Sequence, residues 1–168
     1  MKRAAAFQIR KMMEATRRTT FVATLPWTKG VLLVIPFSPN RIPRCDGEIL
    51  SSNPAGWGMT LSGRNQNVLQ VWNARTLALS VLNKASTLSG RLPREDSRKI
   101  KAILRQEWLG EKVSEDLENL LWFNSLQWWK GERLSAYKEE EVENFCLLDM
   151  EDIRLVPACI ITCNKIRR

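Results

Sequence analysis

The spacing of apolar residues changes rhythm several times along the chain. Over residues 4–18, Ala5, Ile9, Met12, Met13 and Thr16 recur at helical spacing, with Arg3, Arg10 and Arg17 elsewhere around the wheel. That pattern predicts a basic amphipathic helix or arm over residues 1–18. Residues 19–25 (TTFVATL) and 31–37 (VLLVIPF) are rich in β-branched residues and flank PWTKG. They predict a β-hairpin. Residues 38–63 are punctuated by Pro39, Pro43, Gly47, Pro54, Gly56, Gly58 and Gly63, so they predict irregular chain with a short strand at 48–51.

The pattern then turns helical. Residues 65–88 carry Val68, Leu69, Val71, Trp72, Leu77, Leu79, Val81 and Leu82, apolar nearly all round, as in a central helix. Residues 94–109 place Ile100, Ile103, Leu104 and Trp108 on one face and Arg94, Arg98, Lys101 and Arg105 on the other, with Gly110 as the stop. Ser114 predicts an N-cap, followed by Glu115, Asp116 and Glu118 where the helix dipole favours anions. That helix runs to Trp129, and another runs from Ala136 to about Leu148. Residues 153–163 (IRLVPACIITC) return to a strand pattern, with Pro157 marking an edge or bulge. The expected fold is α+β, with a small antiparallel sheet from the N-terminal hairpin and the C-terminal strand packed on about four central helices. Residues 19–168 are expected to form a single globular domain behind the arm.

Length and composition agree with one ordinary core. The chain has 168 residues, 44% hydrophobic and 26% charged, which excludes collagen, a disulfide-dense miniprotein and an intrinsically disordered tail. Cys45, Cys146, Cys159 and Cys163 lack a paired CxxC pattern, so buried free thiols are expected and no metal site. The N-terminal 18 residues and the apolar hairpin behind them have the outline of a signal or anchor. Pro26, Lys29 and Gly30 interrupt it, and neither half reaches ~18 residues. A cytoplasmic protein is expected, with a membrane-surface role for residues 1–18 as the open alternative.

Charge is segregated. The formal charge is +8; residues 1–44 alone sum to +8, residues 64–105 to +7 and residues 107–152 to −9. Such blocks either pair within the molecule or meet complementary partners. There is no histidine, so the commonest general base and metal ligand are both missing. No GxxxxGK[ST] or GxGxxG occurs, and no SxxK stands beside a pocket signature. Gly56-Trp57-Gly58 reads as a tight turn and Glu139-Glu140-Glu141 as a solvated face. An enzyme is not expected, nor is a cofactor.

Two sets of residues remain as candidate contact surfaces. In the stretch LLWFNSLQWW (Leu120–Trp129), Trp122, Phe123, Trp128 and Trp129 cannot all lie on one helix face, so a large ring is left to meet a second core layer or a partner. The basic set is Lys2, Arg3, Arg10, Lys11, Arg17 and Arg18, joined by Arg94, Arg98, Lys101 and Arg105. The LLWFNSLQWW stretch is similar to late helices of paramyxoviral C proteins. With its compact, basic, motif-poor character, the chain resembles the small accessory nonstructural proteins of paramyxovirus-type negative-strand RNA viruses. That resemblance implies a non-catalytic intracellular protein that binds a viral polymerase component or a host signalling protein, and it carries no functional residue over. The early hairpin departs from the largely helical pattern of those proteins. The expected function is therefore interaction with a host or viral protein through the aromatic set. The alternative is RNA or ribonucleoprotein binding through the basic set.

Overall fold

The computed structural model describes residues 7–16, 19–38, 40–51, 60–61, 64–65, 68–112 and 128–144. It is α+β. The first element is a strand and not the expected helix: β1 spans Gln8–Thr16 and lies in the sheet beside the first strand of the hairpin. Ile9 and Met12 explain the misreading. Three residues apart, they share a face on a helix; on a strand an odd spacing sends them to opposite faces. Ile9 joins the larger hydrophobic core and Met12 the smaller one across the sheet.

The hairpin forms as expected. β2 (Thr19–Thr28) pairs antiparallel with β3 (Val31–Ser38), and Gly30 takes a φ of 74° in the turn between them. The expected short strand is β4, Glu48–Leu50. Two-residue strands β5 (Thr60–Leu61) and β6 (Arg64–Asn65) form a small ladder of their own.

The expected central helix over residues 65–88 is replaced by mostly extended chain. β7 (Val68–Gln70) leads through a 3-10 turn (Val71–Asn73) into β8 (Arg75–Ala78). A seven-residue helix, α1 (Leu79–Ala85), and β9 (Ser86–Arg91) follow. For β7 and β8 the reason is burial on both sides. A strand covered on both faces loses its alternation and reads as continuously apolar, as a buried helix does.

The resulting sheet has seven strands in the order β4-β7-β3-β2-β1-β9, with β8 also on β3. The β8 pairing uses Val31–Val34 and the β7 pairing uses Phe37 and Ser38, so two strands share one side of β3. It is larger than the sheet predicted from the sequence, and its described strands come from residues 8–91. The expected C-terminal strand over 153–163 lies outside the described residues.

Helix α2 (Arg94–Leu109) matches its expectation closely. Ile100, Ile103 and Leu104 are buried against Phe21, Leu25, Leu33 and Ile35 in the larger core, and Trp108 meets Trp27 edge-on with ring centres 5.9 Å apart. Gly110, at φ 66°, ends the helix by donating its N–H to the Gln106 carbonyl at 3.1 Å. The smaller core lies on the other face, where Leu82 of α1 packs on Val22, Leu32, Val34 and Leu77. The last described helix, α3, is Gly131–Asn144, which starts five residues before the expected Ala136. The described residues thus hold three α-helices where about four were expected. Most of the helix expected from Ser114 to Trp129 lies outside them. No described helix is long and apolar enough to cross a membrane.

Candidate binding site around Trp129

Helix α3 meets the β4–β7 side of the sheet through polar groups, and their centre is Glu48. Its position at the start of β4 follows from the preceding turn, where Gly47 takes a φ of 82°. A Cβ on Gly47 would stand 2.9 Å from the Trp72 Cβ, so only glycine lets the two chains come this close. The Trp72 N–H donates to the Gly47 carbonyl at 3.2 Å, which brings the indole over Glu48.

Glu48 is fully buried. Its Oε2 accepts from the Tyr137 hydroxyl (2.7 Å), Trp72 Nε1 (2.8 Å) and the Cys45 thiol (3.4 Å), and its Oε1 accepts from the Arg44 backbone N–H (3.0 Å). A buried carboxylate needs this many donors to offset its lost hydration. The Tyr137 oxygen in turn accepts from Asn40 Nδ2 (2.8 Å) and Gln70 Nε2 (3.1 Å). Gln70 also donates to Glu141, and Asn73 and Arg75 donate to the backbone carbonyls of Glu141 and Val142. Burial pushes both the Cys45 thiol and the Tyr137 phenol far above their usual titration range, and the Glu48 charge adds to the effect. Both stay protonated donors. The cluster is a clamp, and its thiol is no nucleophile at neutral pH.

The clamp carries a second layer. Arg44 accepts the Trp129 backbone N–H on its carbonyl at 2.8 Å, and the Tyr137 ring meets Trp129 edge-on at 5.3 Å. The indole of Trp129 then holds two guanidinium groups. Arg44 Cζ lies 4.2 Å from the ring centre and Arg133 Cζ 3.8 Å. Trp129 and Arg44 are half-buried, Arg133 is exposed, and Arg41 and Lys130 are exposed nearby in sequence. Among the described residues, neither guanidinium meets a carboxylate. Lys138 takes a different partner set. Its Nζ lies 5.1 Å from the Trp72 ring centre, and its charge acts on Glu107. Desolvation, then the hydrogen-bonded Asp46 carboxylate, raise the Glu107 pKa against that pull.

The residues predicted from the sequence fall into three groups. Lys2, Arg3, Arg17, Arg18, Trp122 and Phe123 lie outside the described residues. Arg10, Lys101 and Trp128 do not present free surface. Arg10 is half-buried on β1 and donates to Asn83 Oδ1 at 3.1 Å. Lys101, expected on the exposed face of α2, is buried, and burial together with Arg105 lowers its pKa. The buried face of α2 is wider than its apolar stripe and takes in Asp96 and Ser97 as well. Trp128 is half-buried, and its indole N–H is buried without a hydrogen-bond partner. Lys11, Arg94 and Arg98 are exposed, Arg105 is half-buried, and Trp129 becomes the centre of the site.

Reading the sequence missed Arg44, Arg133, Tyr137 and Glu48. Trp129 and Arg133 are close in sequence, but Trp129 precedes α3, so helical spacing does not mark the pair. Nothing local points to Arg44, which arrives from 85 positions away in the chain. No family model, curated protein or solved structure matches this chain.

Proposed function

We propose that this protein is a non-catalytic accessory protein that binds an anionic macromolecular partner through the face centred on Trp129, Arg44 and Arg133. One observation carries this reading: two guanidiniums stacked on a single indole, with no carboxylate on either among the described residues. Contact with the ring face restrains the two cations without using up their N–H donors, which remain able to bond oxyanions. The clamp beneath supports the same reading, because Glu48 positions both the Arg44 backbone and Tyr137 before any partner arrives. The accessory character fits what the LLWFNSLQWW resemblance implies. The N-terminal and α2 basic residues serve the alternative less well, since Lys101 is buried and Arg10 is held by Asn83.

The test is retention on an immobilised polyanion, such as heparin, over a salt gradient. The double variant Arg44→Gln/Arg133→Gln should elute at clearly lower salt than Arg94→Gln/Arg98→Gln, which removes the same charge from exposed α2 positions. Identical elution of the two variants rejects the Trp129 face as the contact surface.

A further inference from the structure

Resting on that reading, we infer that the anionic partner is a single-stranded polynucleotide, with a base stacked on Arg133 and a backbone phosphate held by Arg44. The geometry separates the roles of the two arginines. Arg133 is exposed, and its Cζ lies over Trp129, 3.8 Å from the ring centre. An exposed guanidinium held over an indole is a group on which an unstacked base can pack, with little regard to sequence. Direct stacking on Trp129 is disfavoured because the ring already carries two cations and the edge of Tyr137.

Arg44 is half-buried and cannot offer a broad face. Both of its backbone polar groups are fixed, the N–H by Glu48 and the carbonyl by Trp129. A side chain rooted this firmly suits a bidentate contact to a phosphate. An acidic protein segment would satisfy both charges but would make no use of the Arg133–Trp129 pairing. A duplex would offer phosphates while keeping its base faces stacked on one another. Arg41 and Lys130, exposed and near in sequence to Arg44 and Trp129, add positive charge.

The experiment is fluorescence anisotropy of the full chain with a labelled 12-nucleotide oligo-U RNA at several salt concentrations. A 12-base-pair duplex and a poly-glutamate peptide are run beside it. Arg133→Lys keeps the charge and loses the plane; it should weaken oligo-U binding about tenfold and leave the salt slope unchanged. Arg44→Gln should lower the salt slope by about 0.7, the value of one single-strand phosphate contact. The duplex should bind at least tenfold more weakly than oligo-U. Circular dichroism melts verify that both variants fold, and Arg133 is exposed, so its replacement leaves the core alone. Wild-type affinity for Arg133→Lys, or equal duplex binding, overturns the base-stacking assignment. Arginine-dependent binding of poly-glutamate without binding of oligo-U overturns the polynucleotide and leaves the anionic-partner reading standing. Failure of every polyanion removes both.

Discussion

Glu48 is buried without a cation on it; four neutral donors hold it instead, and two of them are acids in their own right. The Cys45 thiol and the Tyr137 phenol have ordinary pKa values of 9.0 and 10.0, and the folded protein raises both, first through burial and then through Glu48. The native state therefore holds protons that the unfolded chain has released once the solution passes those ordinary values. Stability from this cluster is complete at neutral pH and falls as pH rises above about 9, by up to ~1.4 kcal/mol per pH unit for each group. Urea midpoints measured between pH 7 and pH 11 should show this decline, and Cys45→Ala and Tyr137→Phe should each flatten it while lowering stability at pH 7. A slope that neither variant changes would mean that these protons are not coupled to folding. None of this was legible in the sequence, because Glu48 and Tyr137 are 89 positions apart. Local patterning marks neither as buried.

At the scale of elements, legibility followed the number of faces each element buries. The hairpin and α2 were readable because their signals are local: β-branched runs around a glycine turn, and one apolar stripe closed by Gly110. β7 and β8 were misread because burial on both sides of the sheet erases alternation, and β1 because Ile9 and Met12 stand at helical spacing. Helix α3 is a different case. Among its described side chains only Tyr137 and Glu141 are buried, so polar contacts attach it where apolar area attaches α2. Glu48→Ala should leave the Tyr137 and Trp72 donors unpaired and release α3 at a cost of about 2–4 kcal/mol. Hydrogen exchange should then show amides of residues 131–144 losing protection, while those of β2 and β3 keep theirs. Uniform loss across the sheet would show that α3 is part of the central cooperative unit. The same variant should disturb the Trp129 stack, since Arg44 loses its backbone anchor on Glu48.

The whole molecule is a sheet with a core on each side, and the candidate site lies where its β4–β7 side meets α3. Charge-block counting pointed to the N-terminal segment and to residues 91–105, and it passed over the site because Arg133 sits in the acidic half and Arg44 in the irregular loop. Sums over segments cannot show which cations lose their partners in the fold; that depends on stacking between distant residues. The two cores themselves stand apart. Ile103 belongs to the α2 side and Leu82 to the α1 side, with β2 and β3 between them. Ile103→Val should cost about 1 kcal/mol and Leu82→Ala about 3 kcal/mol, the usual penalties for such deletions in close-packed interiors. The two residues share no core cluster, so the double variant should lose the sum of both to within ~0.5 kcal/mol, read from urea unfolding. Coupling above ~1 kcal/mol would require strain to pass through the sheet by a shift of β2 or of β3. β3 is where such a shift would show, because it is paired to β2 along one side and divided between β7 and β8 along the other. A shift there would also move β7 and Gln70, and with them the clamp under Trp129. Additivity would therefore show that a change in the α1 core does not reach the α2 side through β3.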